Sequence, residues 1–172
     1  MRTKRHSQRG QAVVELALQI PIMLALLFGG VQIGRVYYIY HTLQKAVRGG
    51  AGLLARSGNV DYCNVSDATI ADARNFIIYG NLQGVGAPVV EGLTPDMIQI
   101  LPERGMPDST AVTQCLCAQQ DADSCDASSG GRVPDFVVVN LGSGFPLQVP
   151  FAFIHLGVIN LKVSVRMPVT GG

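Results

Sequence analysis

Residues 11–34 read QAVVELALQIPIMLALLFGGVQIG, 24 residues in which Glu15 is the only formal charge. A helix of that length is about 36 Å long, enough to cross a hydrocarbon core of about 30 Å. Upstream stands MRTKRHSQRG, with Arg2, Lys4, Arg5 and Arg9 basic and nothing acidic. Basic flanks resist translocation, so the N-terminus is expected in the cytoplasm. A cleavable secretory signal would carry only about 7–15 apolar residues and end in a small-x-small site. This span is longer, and Arg35 with Tyr37, Tyr38 and Tyr40 reads as an interfacial anchor. The expectation is a retained membrane helix.

The helical pattern continues beyond the span. Residues 34–56 contain no proline and repeat apolar or small residues at Val36, Tyr40, Leu43, Val47, Ala51 and Leu54. One helix from about residue 11 to about residue 56 would be roughly 70 Å long. Gly49, Gly50 and Gly52 weaken its end by about 1 kcal/mol each relative to Ala, and they let another backbone approach closely. Ser57-Gly58-Asn59 supplies the stop. Pro21, inside the span, removes one backbone hydrogen bond and is expected to kink the helix.

Composition agrees with a chain partly in lipid: 48% apolar and 15% charged residues, against roughly 25% charged in an average soluble domain. The net charge of +1 hides a split, for residues 1–56 carry +7 and residues 57–172 carry −6. With an acidic distal part, no tryptophan and no basic cluster outside the N-terminus, nucleic acid is not an expected partner.

Gly10, four residues, then Glu15 at the start of an apolar helix resembles the processing site of type IV prepilins. Further on, Glu15-Leu16-Ala17-Leu18-Gln19-Ile20-Pro21 and Phe28-Gly29-Gly30-Val31-Gln32-Ile33-Gly34-Arg35 resemble the TadE/TadG-like family of tight-adherence pilus-assembly proteins. That family's pattern is roughly G-x4-E-[FL]-A-L-x-x-P followed by F-G-x-x-[ED]-x-G-R. Gln32 stands where the pattern has an acid, and Leu16 stands where an aromatic is usual. The detailed match covers about residues 9–56.

The resemblance implies a minor pilin or pseudopilin, not an enzyme and without a cofactor, acting in pilus assembly, initiation and adhesion. It implies a prepilin-type leader over 1–10, a transmembrane helix over 11–34, a periplasmic continuation of that helix over 35–57, and a periplasmic α+β domain over 58–172. Prepilin peptidase would cut between Gly10 and Gln11, and the new α-amine of Gln11 would partner Glu15. Expected neighbours in the inner membrane are the major pilin, other minor pilins or pilus-assembly proteins, and the lipid bilayer itself. Glu15, Pro21, Gly30 and Gly34 are the expected helix-packing positions; Gly30-x3-Gly34 is a small-xxx-small pair. A carboxylate at mid-membrane costs on the order of 2.5–3.5 kcal/mol, less near the interface, so Glu15 calls for a partner or a proton. The alternative reading is a permanently anchored accessory whose periplasmic part binds a partner in secretion or adhesion.

Beyond Gly58 the expected fold class is α+β: a small antiparallel sheet laid on the long helix. Ser66 is read as the N-cap of a short helix ending at Tyr79 and stopped by Gly80, with Ile70, Ala71, Ala73, Phe76 and Ile77 inward. Residues 80–92 read as a loop. Expected strands are Met97–Leu101, Ala111–Leu116, Phe136–Leu141 and one long alternating strand, Ile159–Met167, with five apolar residues on one face. The apolar run Pro150–Gly157 reads as a buried crossover, or as a tip touching the outer leaflet or a partner subunit.

Cys63, Cys115, Cys117 and Cys125 all lie on the side assigned as periplasmic, where disulfides persist. A Cys115–Cys117 bond would close a cramped ring, which leaves Cys63 with either Cys115 or Cys117 and Cys125 with the other. Zinc is disfavoured by C-x-C spacing without a nearby histidine. The acidic run Asp121, Asp123, Asp126 lacks the Gly and Glu of a calcium loop, so no metal is expected. His6, His41 and His155 form no catalytic motif, and none is found elsewhere.

Overall fold

The computed structural model describes residues 8–58, 60–105, 112–115, 117, 125, 131–150 and 155–170. Helix α1 runs unbroken from Gln8 to Arg56, 49 residues with Pro21 inside it. Its two halves differ in surroundings. Among the described residues an 18-residue apolar window of the first half has no buried residue, whereas Leu43, Val47, Ala51 and Leu54 are completely buried. That spacing of four, four and three puts them on one stripe of the helix, the pattern that calls for a cover.

Two bodies cover the stripe. One is helix α2, Ala68–Tyr79. Its N-cap is Asp67, whose Oδ1 accepts the N–H groups of Thr69 (2.8 Å) and Ile70 (3.2 Å), while Oδ2 accepts that of Asp61 (3.2 Å). The expected cap, Ser66, instead lies in the preceding turn and gives its own N–H to Asn64 Oδ1. The carboxylate two residues before Thr69 reaches the free amides of the first turn, and Ser66 is one residue too early. Gly80 ends α2 in the left-handed region (φ 73°), with its N–H on the Phe76 carbonyl. Ile70, Ala73 and Ile77 face α1 as expected, with Phe76 half-buried. Ala71 is exposed, and Ile78 is buried in its stead under the returning 80–92 segment, whose Val89 N–H bonds the Ile78 carbonyl.

Close approach of α1 and α2 depends on two glycines. A Cβ on Gly49 would enter the Phe76 ring, and one on Gly50 would stand 2.6 Å from Ile77 Cδ1 and 3.2 Å from the Ala73 carbonyl oxygen. Gly52 faces only ordinary contacts.

The second body is an antiparallel sheet of four strands. After a 3-10 turn at Pro95–Met97 come β1 (Ile98–Gly105), β2 (Val112–Gln114), β3 (Phe136–Leu141) and, last in the chain, β6 (Ser164–Pro168), in the order β2-β1-β3-β6. Register pairs Ile98 with Leu141, Ile100 with Val139 and Val139 with Val165, so one face of three strands is apolar and packs under α1. Arg166, on the opposite face, meets Glu103 at 2.9 Å and lies over the Phe136 ring.

A separate hairpin, β4 (Phe145–Pro150) and β5 (His155–Leu161), forms a second, two-stranded sheet. It corrects two expectations. The alternation over 159–167 is not one strand: it breaks at Lys162-Val163, and its halves belong to different sheets. Val163 is the hinge, buried, with its carbonyl accepting the Leu141 N–H at 3.0 Å. The apolar run 150–157 is not a crossover either, since Pro150 closes β4 and His155–Gly157 open β5; residues 151–154 lie outside the described part. Strand β1 begins at Ile98 and runs on to Gly105, past the expected end at Leu101, because β3 pairs with it as far as Glu103 and β2 pairs with its last three residues. Of Ala111–Leu116, the described strand is Val112–Gln114.

The fold is therefore α+β, with a long apolar N-terminal helix and antiparallel sheets. The far end of α1 is closed by tertiary bonds: the Thr170 N–H donates to the Ala55 carbonyl at 2.8 Å, and the Tyr62 hydroxyl to the Leu54 carbonyl at 3.3 Å. These satisfy carbonyls that every helix C-terminus leaves without partners.

Candidate functional site

Gly10, Gln11 and Glu15 lie in the first two turns of α1. The described part of α1 starts at Gln8, so the Gly10–Gln11 peptide is within regular helix. Gln11 and Glu15 are one turn apart on one face, and Gln11 Nε2 donates to Glu15 Oε1 at 3.3 Å. Both are exposed. A carboxylate one turn into the apolar segment thus has a neutral donor from its own helix and an open side for a second partner.

From Val13 to Ile33 nearly every side chain points away from the rest of the molecule, including Leu18, Leu26, Phe28 and Val31. Pro21 leaves the Ala17 carbonyl without its usual helical donor. A Cβ on Gly30 or Gly34 would meet nothing within 4 Å, so both glycines present bare backbone to whatever surrounds the helix. The structure brings Gln11 and Glu15 together; Pro21, Gly30 and Gly34 lie further along the same helix. An apolar surface this long, with no cover of its own, is that of a membrane anchor.

At the outer end of this surface the aromatic residues gather. Tyr37 and Tyr40 both meet the His41 ring edge-to-face, with centroids 4.2 and 5.7 Å apart. His41 is thereby a packing residue of the helix surface. Facing the same stretch of α1 is the β4–β5 hairpin, and between them lies an apolar groove of about 400 Å³ that sequence reading missed. No local signal marks it, because Ile33 and Ile159 are far apart in the chain.

The four cysteines form two bonds, Cys63–Cys117 and Cys115–Cys125. The first, whose ends are 54 positions apart, ties the segment after α1 to the segment following β2. Cys115 and Cys125 are both buried, and the Arg104 guanidinium, also buried, lies 3.8 Å from Cys125 Sγ and donates to the Arg132 carbonyl. Near the first bond, burial and then the neighbouring Asp67 carboxylate push the Tyr62 phenol up to about 12. Among the described residues, no group of three His, Cys, Asp or Glu stands together to hold a metal ion. Asp121, Asp123, Asp126 and His6 lie outside the described part.

Among the described residues one apolar helix, exposed over half its length and bearing an α+β region on the other half, has the form of a single-span membrane anchor. The family model of TadE-like proteins matches residues 10–51, which takes in the Gly10–Glu15 segment, the apolar span and the helix as far as the glycines that meet α2. That segment, about a quarter of the chain, is similar to TadE-like proteins. No curated protein and no solved structure matches.

Proposed function

We propose that this chain is a minor pilin or pseudopilin of a tight-adherence type IV pilus, seated in the bacterial inner membrane with its N-terminus cytoplasmic and its α+β region periplasmic. It initiates or stabilises assembly of the major pilin and contributes to adhesion, by position and not by catalysis. The observation that carries this reading is the exposed Glu15, one turn past Gly10-Gln11, on a helix that matches the TadE-like family and has no internal cover. Cleavage after Gly10 by prepilin peptidase would free the Gln11 α-amine to join Glu15. In the membrane, Glu15 would then set the register between neighbouring spans, and Pro21, Gly30 and Gly34 would let them pack.

One observation favours a second reading. The Gly10–Gln11 peptide is already helical, so its carbonyl is enclosed by the helix's own hydrogen bonding. A protease needs that bond opened. A chain that keeps its leader would be a permanently anchored accessory, binding a partner in secretion or adhesion through the distal region. N-terminal sequencing of the protein extracted from membranes separates the two. A chain beginning at Gln11 supports the pilin reading, and one beginning at Met1 supports the anchor. Recovery of the chain in sheared pili tests entry into the fibre.

A further inference from the structure

The groove between α1 and the β4–β5 hairpin has a wall almost without polar atoms. Ile33, Val36 and Tyr40 line it from the helix, and Val149, Ile159 and Leu161 from the hairpin. Its volume of about 400 Å³ falls within the range of roughly 300–1,000 Å³ usual for small-ligand sites. Ile159 is 38% exposed and Val158, on the other flank, 53% exposed. Apolar side chains on a two-stranded hairpin have no reason to stay in water.

Height along the helix identifies what meets them. A hydrocarbon core of about 30 Å takes about 20 residues of helix, and counting from Val13 brings the boundary to about Ile33. The groove therefore opens where the span leaves the hydrocarbon, and its helical wall continues the lipid-facing surface without a break. Arg35, against the hairpin's other flank, is the only formal charge on α1 between Glu15 and Lys45, at the level of lipid phosphates. Tyr37, Tyr38 and Tyr40 supply the aromatic layer of that interface. A neighbouring helix is a poor fit: at about 10 Å across, a single turn of it fills roughly 400 Å³. A thin, extended chain lies along the groove.

We propose that the groove holds an acyl chain of a phospholipid in the leaflet that α1 leaves at Gly34, so that the β4–β5 hairpin is a second contact of the protein with the membrane. This rests on α1 spanning the bilayer.

The test uses the full chain in vesicles of phosphatidylethanolamine and phosphatidylglycerol, doped with a phospholipid carrying a diazirine on its acyl chain. After irradiation, adducts are mapped by peptide mass spectrometry. Expected are adducts on α1 between Val13 and Ile33 and also on the strands bearing Val149 and Ile159. Ile159→Lys should lower the hairpin adducts at least fivefold and leave those on α1 unchanged, while Ile159→Leu keeps both. Labelling of α1 with an unlabelled hairpin in the unsubstituted protein overturns the inference but leaves the anchor standing. Hairpin adducts that disappear as the protein-to-lipid ratio is raised, with those on α1 kept, place a second copy of the chain in the groove and overturn it too. An unlabelled α1 refutes the anchor, and the inference falls with it.

Discussion

Gly50 of α1 lies so close to Ala73 of α2 that a side-chain carbon on the glycine would stand 3.2 Å from the Ala73 carbonyl oxygen. Helix propensity and packing therefore pull in opposite directions here. Replacing Gly with Ala in a helix interior gains about 1 kcal/mol, yet a carbon forced into a filled space costs about 1–3 kcal/mol. Gly50→Val, which adds a branched side chain, is expected to destabilise the protein by about 2 kcal/mol or more. Gly52→Ala, facing contacts no closer than 3.6 Å, is expected to stabilise it by up to about 1 kcal/mol. Thermal unfolding of the full chain in detergent, followed by circular dichroism, compares the two.

The α2 cap gives a second contrast. Asp67→Ala removes the acceptor for two first-turn amides and for the Asp61 N–H, and should cost about 1–2 kcal/mol. Ser66→Ala should change stability by less than about 0.5 kcal/mol, as an exposed turn residue. Equal losses in denaturant titrations of the two variants would contradict the cap assignment.

The two disulfides close loops of very different size, 54 and 10 residues. On chain entropy, losing Cys63–Cys117 should cost about 4 kcal/mol and losing Cys115–Cys125 about 2–3 kcal/mol. Paired Cys→Ser variants, each retaining the other bond, are compared by urea unfolding. The larger loss is expected for the 63–117 pair.

Tyr62 supplies a pH signature. Its phenol is raised from 10 to about 12 by burial first and by Asp67 second, so the folded state favours the neutral form. The corresponding stability is fully present below about pH 10, where an unfolded tyrosine begins to ionise, and is lost as pH rises through about 12. Ultraviolet titration should show a late tyrosine phase that Tyr62→Phe deletes.

Glu15→Ala tests the site itself. The residue is exposed and, among the described residues, bonded within its own helix, so the α+β region should keep its stability within about 0.5 kcal/mol. Surface pili and adherence, counted in cells carrying the variant, should fall sharply. Unchanged piliation would remove Glu15 from the mechanism.

Local and contiguous signals were legible in the sequence. The stripe Leu43, Val47, Ala51, Leu54 repeats at the helical period, and the bounds of β3 coincide with the alternation in Phe136–Leu141. The TadE-like resemblance is carried by neighbouring residues, so it too needed no structure. The hairpin was not legible. Two prolines, Pro146 and Pro150, obscure β4, and alternation over 159–167 continues through Val163 although the strand changes partners there. Period two reports which face a residue takes, not which strand it pairs with. The cap was misplaced by one residue because Ser and Asp are both good caps and only geometry separates them. The groove joins residues more than a hundred positions apart, a distance at which one sequence carries no pairwise signal.

One rod serves both membrane and core. Because α1 passes from the span into the buried stripe without a break, the α+β region cannot swivel independently of the anchor. From about Met23, near the bilayer centre, to Arg56 is roughly 50 Å, so leaning the span by about 20° carries the far end sideways by roughly 17 Å. A tilt of the transmembrane segment is thereby magnified into a lateral stroke at the opposite end, as with an oar in its lock.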